Sequence, residues 1–104
     1  MSKSKIKIIA EIGWNHMGNI GLAEKMIKAA KNAGADYAKF QTWQVKNLKS
    51  GPWDNDGRRE IYQKAEINKE AHIKLKKICN KYKIEFLTSL FNPEDYEIIK
   101  NLKL

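Results

Sequence analysis

A carboxylate, an amine and an amide lie in two predicted strands. Glu11 is near the end of an apolar β-branched run, and Lys39 and Gln41 stand two residues apart in a second run. Side chains two residues apart on a strand leave the same face. A buried lysine must find an anion or lose its proton, so its partner is either Glu11 or a phosphate or carboxylate of a substrate. A structural Glu11–Lys39 ion pair without a ligand stays open.

Hydroxyl groups end a third predicted strand. Thr88 and Ser89 lie near the end of the run from Ile84 to Leu90. We expect both at the rim where Glu11 and the polar groups of the second strand gather. Because neighbouring strands lie about 4.8 Å apart, these groups could converge on one small anionic ligand. This convergence is the strongest physical indication of a site in the sequence.

Other polar residues give weaker indications. Asn15 and His16 directly follow the first strand, where a substrate contact is possible, whereas His72 is interpreted as helix surface and Cys79 as core. No cysteine, histidine or acid stands at metal-pair spacing from either histidine. The acidic run at 54–57 lacks carboxylates at the first and last positions of a calcium loop. We therefore predict no metal ligands in this chain.

Strand and helix patterns alternate along the chain in the order β-α-β-α-β-α. Predicted strands span Ile6–Ile12, Tyr37–Thr42 and Ile84–Leu90, and helices follow Asn19, Asn68 and Asn92-Pro93. This order predicts an α/β fold with parallel strands, either a small doubly wound sheet or the first three units of a (β/α)₈ TIM barrel. The long connection from Trp43 to about Ile67 is predicted to be an ordered flap with a short helix at Arg58–Ala65.

Composition limits the other possibilities. The 104 residues predict one domain, 1–104, without a second one, and a single cysteine fits the cytoplasm. No segment reads as a signal peptide or a membrane span, so we expect no membrane partner. The net charge is +8, but the lysines recur at helical spacing and predict a solvated face rather than a nucleic-acid partner.

Four blocks of the sequence resemble, in order and spacing, the amino-terminal part of the N-acetylneuraminate (sialic acid) synthase family. They are Ala10–Gly13 with Asn15, His16 and Gly18; Ala33–Asp36; Lys39–Thr42; and Phe86–Phe91. The resemblance implies the first part of a TIM barrel that condenses phosphoenolpyruvate with an N-acetylmannosamine-type amino sugar, giving a nonulosonic (sialic) acid and phosphate. It also implies a divalent metal, Mn or Mg, whose ligands lie outside this chain. For the full-length form we expect a homo-oligomer.

Residue roles follow from the resemblance position by position. Glu11 matches an active-site acid near the sugar, and Lys39 and Gln41 match residues that bind phosphoenolpyruvate. Ser89 falls where many members have Thr, and Asn55 corresponds loosely to a sugar-contacting loop. Together with the rim residues, the expected substrate-binding set is Lys39, Gln41, Ser89, Thr88, Asn15, His16 and Asn55.

We expect the 104-residue chain to be a fragment that is inactive by itself. Two other functions stay open from the sequence. One is a small α/β module that binds an acidic metabolite without catalysis, and the other is a basic domain for nucleic acid.

Overall fold

Strands and helices alternate in the computed structural model, which describes residues 6–100 and residue 102. The strands are β1 (Ile9–Gly13), β2 (Tyr37–Thr42) and β3 (Glu85–Leu90), and the helices are α1 (Ile20–Asn32), α2 (Arg58–Ala65), α3 (Lys69–Lys81) and α4 (Tyr96–Ile99). Short 3₁₀ turns span Val45–Asn47, Pro52–Asp54 and Pro93–Asp95. The predicted order is confirmed, and α2 is the short helix expected within the flap, which we define as residues 43–67.

The sheet has the order β1-β2-β3, and both strand pairs are parallel. Parallel neighbours need a crossover connection, which α1 supplies between β1 and β2 and the flap with α3 supplies between β2 and β3. The α/β prediction with parallel strands is therefore confirmed. All three strands point their carboxyl ends toward the same edge of the sheet.

Side-chain caps fix where the two long helices begin. The Oδ1 atom of Asn19 accepts a hydrogen bond from the backbone N–H of Leu22 at 2.9 Å, and the Oδ1 atom of Asn68 accepts from Ala71 at 2.8 Å. Each cap satisfies a backbone donor that has no partner within the helix. After α1, Gly34 takes a φ of +94°, as predicted for the residue that ends the helix.

The apolar core lies between one face of the sheet and the helices α1 and α3. Its members are Ile12, Ala23, Ile27, Ala35, Ala38, Phe40, Ile67, Leu75, Cys79, Ile84 and Phe86. The Phe40 and Phe86 rings stack with centroids 5.5 Å apart. Burying one large apolar side chain is worth about 1.5–3 kcal/mol, so this layer is the main source of stability. We call this side of the sheet the helix-covered face.

Cys79 is fully buried in this core, as predicted. Burial, with a smaller contribution from the nearby Glu85 carboxylate, raises the pKa of its thiol to about 12. A thiol that stays protonated is a poor nucleophile.

Two strand predictions are wrong in their limits. β1 begins at Ile9 rather than Ile6, because the N–H of Ile8 donates to the Asp36 carboxylate at 2.8 Å and its carbonyl accepts from the turn before β2. β3 begins at Glu85 rather than Ile84. Within the described residues β1 pairs only with β2, and Ile9 is 50% exposed.

Two further structural findings concern the helices. The Asn92-Pro93 sequence opens a 3₁₀ turn that leads into the short α4, rather than starting an α-helix directly. Across the described residues, no helix combines the length and the apolar content needed to cross a bilayer.

Candidate functional site

An ion pair links β1 and β2 on the sheet face opposite the core. Glu11 and Lys39 are register partners, and the Lys39 Nζ atom lies 3.3 Å from the Glu11 Oε1 atom. The Glu11 side chain is 48% exposed and the Lys39 side chain is 29% exposed. A pair this open to water contributes little to stability and can exchange one partner for a ligand. The expected convergence of the two charges is therefore present.

Gln41 and Glu11 both lie beside Gly13 at the end of β1. The strand register shifts between Glu11 and Gly13, which has a φ of +60°. A Cβ atom at Gly13 would stand 3.6 Å from the Gln41 amide and 3.7 Å from the Glu11 carboxylate. The Gln41 amide and the Glu11 carboxylate thus flank Gly13, which has no side chain between them.

Ser89 completes the polar group on this face. It is the register partner of Gln41, and paired residues of parallel strands project to the same side. The alternate residues of β2 are all buried, which confirms that Lys39 and Gln41 leave the other face. We call Glu11, Lys39, Gln41 and Ser89 the inner-face cluster.

Thr88 does not join this cluster, so its predicted position at the rim is wrong. It pairs in register with Phe40 on the helix-covered face, and its Oγ1 atom lies 2.6 Å from the Oγ1 atom of Thr42. The physical reason is the two-residue period of a strand: because Ser89 faces the cluster, Thr88 must face the helices.

His72 lies on the buried face of α3, so its predicted surface position is also wrong. Its Nε2 atom lies 2.8 Å from the Thr42 Oγ1 atom, and its Nδ1 atom lies 2.8 Å from the Asn68 carbonyl oxygen. Burial lowers the pKa of His72, and the hydrogen bond to Asn68 opposes that effect in part. The signal that could have placed it inside is its spacing from Leu75, since three residues put both on one helix face.

The hydrogen bonds that link His72 to Asn68 and Thr42, and Thr42 to Thr88, have a defined direction. The carbonyl of Asn68 can only accept, so the Nδ1 atom of a neutral His72 carries the proton and Nε2 accepts from the Thr42 hydroxyl. The Thr88 hydroxyl must then donate to the Thr42 oxygen. We call Thr88, Thr42 and His72 the buried relay. Thr42 lies next to Gln41 and Thr88 next to Ser89, so the relay fixes the strand ends that carry the cluster.

His16 is buried rather than presented to a ligand. It is 2% exposed, its ring packs against Phe40 at 5.8 Å between centroids, and its Nδ1 atom accepts from the backbone N–H of Gly18 at 2.9 Å. Burial lowers the pKa of His16. The structure therefore places the ring on the helix-covered side, and its predicted contact with substrate lacks an accessible surface.

Asn15 and Asn55 are exposed but are engaged locally. The Asn15 side chain donates to the Ile12 carbonyl at 3.0 Å, and the Asn55 backbone N–H closes a turn on Pro52 at 3.1 Å. In the part of the chain that the structure describes, neither residue hydrogen-bonds to the inner-face cluster. Their predicted substrate contacts stay predictions.

A metal ion has no evident position in this part of the fold. Within residues 6–100 and 102, no group of three or more histidine, cysteine, aspartate or glutamate side chains could hold one. Glu11 is paired with Lys39, and the relay already uses both ring nitrogens of His72. The described residues do not fit the divalent metal implied by the resemblance.

An aromatic cleft, which the sequence reasoning missed, lies at the carboxyl edge of the sheet. Its volume is about 270 Å³, and it is lined by Trp14, Trp43, Leu48, Lys49, Trp53, Tyr62 and Phe91. Three of these residues, Trp14, Trp43 and Phe91, are the first after β1, β2 and β3. That repeated position after successive strands is the signal that could have revealed the cleft.

Comparisons with known proteins agree on one family. Residues 26–104 match the NeuB family. The chain is 34% identical to the N,N'-diacetyllegionaminic acid synthase of Campylobacter jejuni, over 96% of this chain and 33% of that protein. It is 36% identical to the pseudaminic acid synthase of the same species, over 92% of this chain and 31% of that protein. The chain thus spans about a third of the length of the curated relatives it matches.

The fold comparison leads to the same proteins. The sialic acid synthetase of Leptospira borgpetersenii, solved in complex with citrate, superposes with a TM-score of 0.85 and 29% identity, over 97% of this chain and 34% of that chain. Such neighbours are TIM-barrel-type structures, so the β-α repeats described above correspond to the first three units of that barrel. The predicted partial barrel is confirmed.

Proposed function

This chain belongs to the NeuB family, and from that premise we propose that it forms the amino-terminal third of a synthase that condenses phosphoenolpyruvate with an N-acetylated amino sugar. The products are a nonulosonic acid and phosphate. The observation that carries the proposal is the open ion pair of Lys39 and Glu11, with the Gln41 amide on its side toward the carboxyl ends of β1 and β2. Enzymes with this architecture place their active sites at that edge.

Lys39 is the proposed anchor for phosphoenolpyruvate. Its ammonium group is only part-exposed and already attracts one carboxylate at 3.3 Å. A phosphate or carboxylate of the substrate can take the place of Glu11, and charge-assisted hydrogen bonds to such groups are stronger than neutral ones. Gln41 offers an amide N–H and Ser89 a hydroxyl on the same face. These two groups would orient the bound anion.

Glu11 is the proposed catalytic residue. When Lys39 turns to the substrate anion, the Glu11 carboxylate is freed beside Gly13 and can accept a proton or a hydrogen bond from the sugar or from water. In the proposed reaction, C3 of phosphoenolpyruvate forms a bond to the aldehyde carbon of the open-chain sugar. Water adds at C2, and the C2–O bond to phosphate then breaks to leave the keto acid. Glu11 would accept the proton that the attacking water loses and return it to the alkoxide formed from the aldehyde oxygen. The C2 hydroxyl then gives its proton to the departing phosphate as the keto group forms.

The rest of the catalytic machinery is proposed to lie outside these 104 residues. The described residues do not fit a metal, and the chain spans about a third of its relatives. We therefore expect no turnover from the 104-residue chain alone, although anion binding at Lys39 needs only the residues described here. We also retain the proposal that the full-length form is a homo-oligomer.

A chimera tests the proposal. Residues 6–100 of this chain would replace the matching part of the Campylobacter jejuni N,N'-diacetyllegionaminic acid synthase, and phosphate release would be measured with phosphoenolpyruvate and N-acetylmannosamine. We expect release that requires both substrates. Glu11→Gln in the chimera should lower kcat by about 100-fold or more, since general acid–base groups contribute this much. The KM for phosphoenolpyruvate should change less than about threefold.

Glu85→Gln is the matched control, because Glu85 is an exposed carboxylate at the amino-terminal end of β3, away from the cluster. It should leave turnover unchanged. Equal losses of turnover and of phosphoenolpyruvate affinity in Glu11→Gln would instead make Glu11 a structural partner of Lys39. A folded chimera that releases no phosphate would contradict the proposed activity.

A further inference from the structure

We propose that the aromatic cleft binds the N-acylamino group of the acceptor sugar, an inference that rests on the proposed function. The cleft lies at the carboxyl edge of the sheet, where the strands β1, β2 and β3 end. Trp43 stands two residues after Gln41, and Phe91 stands two residues after Ser89. Trp14 directly follows Gly13, the bare residue beside the Glu11 carboxylate. A sugar whose aldehyde reaches the inner-face cluster therefore has the cleft as its neighbour.

The walls of the cleft are mainly aromatic rings, and two of its three indole N–H groups already have acceptors within the protein. The indole N–H of Trp43 donates to the Tyr62 carbonyl at 2.9 Å, and the indole N–H of Trp53 donates to the Lys49 carbonyl at 2.7 Å. Trp43 and Trp53 therefore keep no free N–H for a sugar hydroxyl and offer apolar ring surface. An acyl methyl group and its planar amide match such a surface.

The charge and the volume of the cleft further restrict the class of ligand that it can bind. The Lys49 ammonium lines the cleft and disfavours a cationic ligand such as a free amino sugar. The cleft volume of about 270 Å³ is just below the roughly 300–1,000 Å³ of pockets for drug-sized ligands, so the cleft fits part of a sugar better than a nucleotide.

The aromatic walls are held in place before any ligand arrives. Trp43 contacts both Tyr62 and Phe91, with ring centroids 5.8 and 5.1 Å apart, and Trp53 contacts Tyr62 at 5.5 Å. The cleft therefore joins the flap to the strand ends. Phe91 is still 53% exposed, which leaves a ring face for a ligand to cover.

Intrinsic fluorescence tests the inference directly, because all three tryptophans of the sequence line the cleft. The 104-residue chain would be titrated with N-acetyl-D-mannosamine, D-mannosamine and D-mannose. We expect a saturable change in emission with the N-acetyl sugar and none with the other two over the same concentration range. Equal responses to N-acetylmannosamine and mannose would overturn the inference.

A pair of matched variants sharpens the test. Phe91 and Tyr96 are both aromatic and are 53% and 55% exposed, but only Phe91 lines the cleft. Phe91→Ala should weaken binding of the N-acetyl sugar about fivefold, as expected for loss of an aromatic contact. Tyr96→Ala should leave it unchanged, and circular dichroism confirms that both variants fold. Equal affinities in the two variants would remove Phe91 and the cleft from sugar binding.

Phosphoenolpyruvate binding, measured by NMR on the same sample, separates this inference from the proposed function. Binding of phosphoenolpyruvate without any response to the N-acetyl sugar overturns the cleft assignment and leaves the proposed function standing. Binding of neither ligand overturns both.

Discussion

The two faces of the sheet use polar side chains in opposite ways. On the inner face, Glu11 and Lys39 form one long, part-exposed ion pair. On the helix-covered face, Thr42 and His72 are fully buried and hydrogen-bonded to each other and onward to Thr88 and Asn68. Neighbouring residues of the same strands therefore serve different purposes.

The difference indicates where a ligand can bind. The buried relay has used its donors and acceptors internally, so a new partner would have to break a bond in a dry environment. The inner-face pair keeps donors and acceptors that face water and can be redirected at low cost. We infer that the relay holds the strand ends in place and that the inner-face cluster is free to take a substrate.

The largest expected effect comes from breaking the relay at its centre. Thr42→Val keeps the shape of the side chain but leaves the Nε2 atom of His72 buried without a donor, which typically costs about 1–3 kcal/mol. Thr88→Val removes only the terminal donor and should cost less. Urea denaturation followed by circular dichroism measures both. Equal, negligible changes would show that the relay does not stabilise the fold.

Acid should weaken the helix-covered face through its two histidines. Burial lowers the pKa of both His16 and His72, so below their ordinary value of 6.5 the unfolded chain binds protons more readily than the folded one. The free energy of unfolding should be level above about pH 7. Below it, stability should fall by at most about 1.4 kcal/mol per pH unit for each histidine.

Chemical denaturation at several pH values between about 7 and 5 checks this dependence. In His72→Leu the free energy of unfolding should fall less steeply with decreasing pH, because only one of the two buried histidines remains to titrate. The same slope in the variant and in the original chain would mean that His72 does not contribute to it.

The smallest stability effect is expected on the inner face. Glu11→Gln removes the negative partner of Lys39, yet exposed ion pairs contribute only about 0–1 kcal/mol. The free energy of unfolding should therefore change by less than about 1 kcal/mol, clearly less than for Thr42→Val. A loss as large as that of Thr42→Val would mean that the pair is structural, and the contrast between the faces would disappear.

Local patterns in the sequence predicted most of the fold. The helix starts after Asn19 and Asn68 and the limits of β2 depend on residues close together in the chain, and all are confirmed. The alternation that puts Lys39 and Gln41 on one face is also local. These elements were predictable because the helix and strand periods fix which residues share a face.

The errors concern properties that depend on distant residues. The surface position predicted for His72 is wrong because its partner Thr42 lies 30 positions away in the sequence, beyond the reach of a local pattern. Thr88 could have been placed correctly, since its neighbour Ser89 was already assigned to the other face. The aromatic cleft needed three separate loops to be considered together.

A phosphoenolpyruvate titration of the 104-residue chain shows whether Lys39 is available to an acidic metabolite. Amide NMR shifts would be followed for the original chain, for Lys39→Met and for the control Lys74→Met, which removes an exposed lysine of α3. We expect saturable shifts around β1 and β2 that survive in Lys74→Met. In Lys39→Met the affinity should fall about tenfold or more, as for loss of a charge-assisted contact. Equal affinities of Lys39→Met and Lys74→Met for phosphoenolpyruvate would show that Lys39 does not bind this ligand.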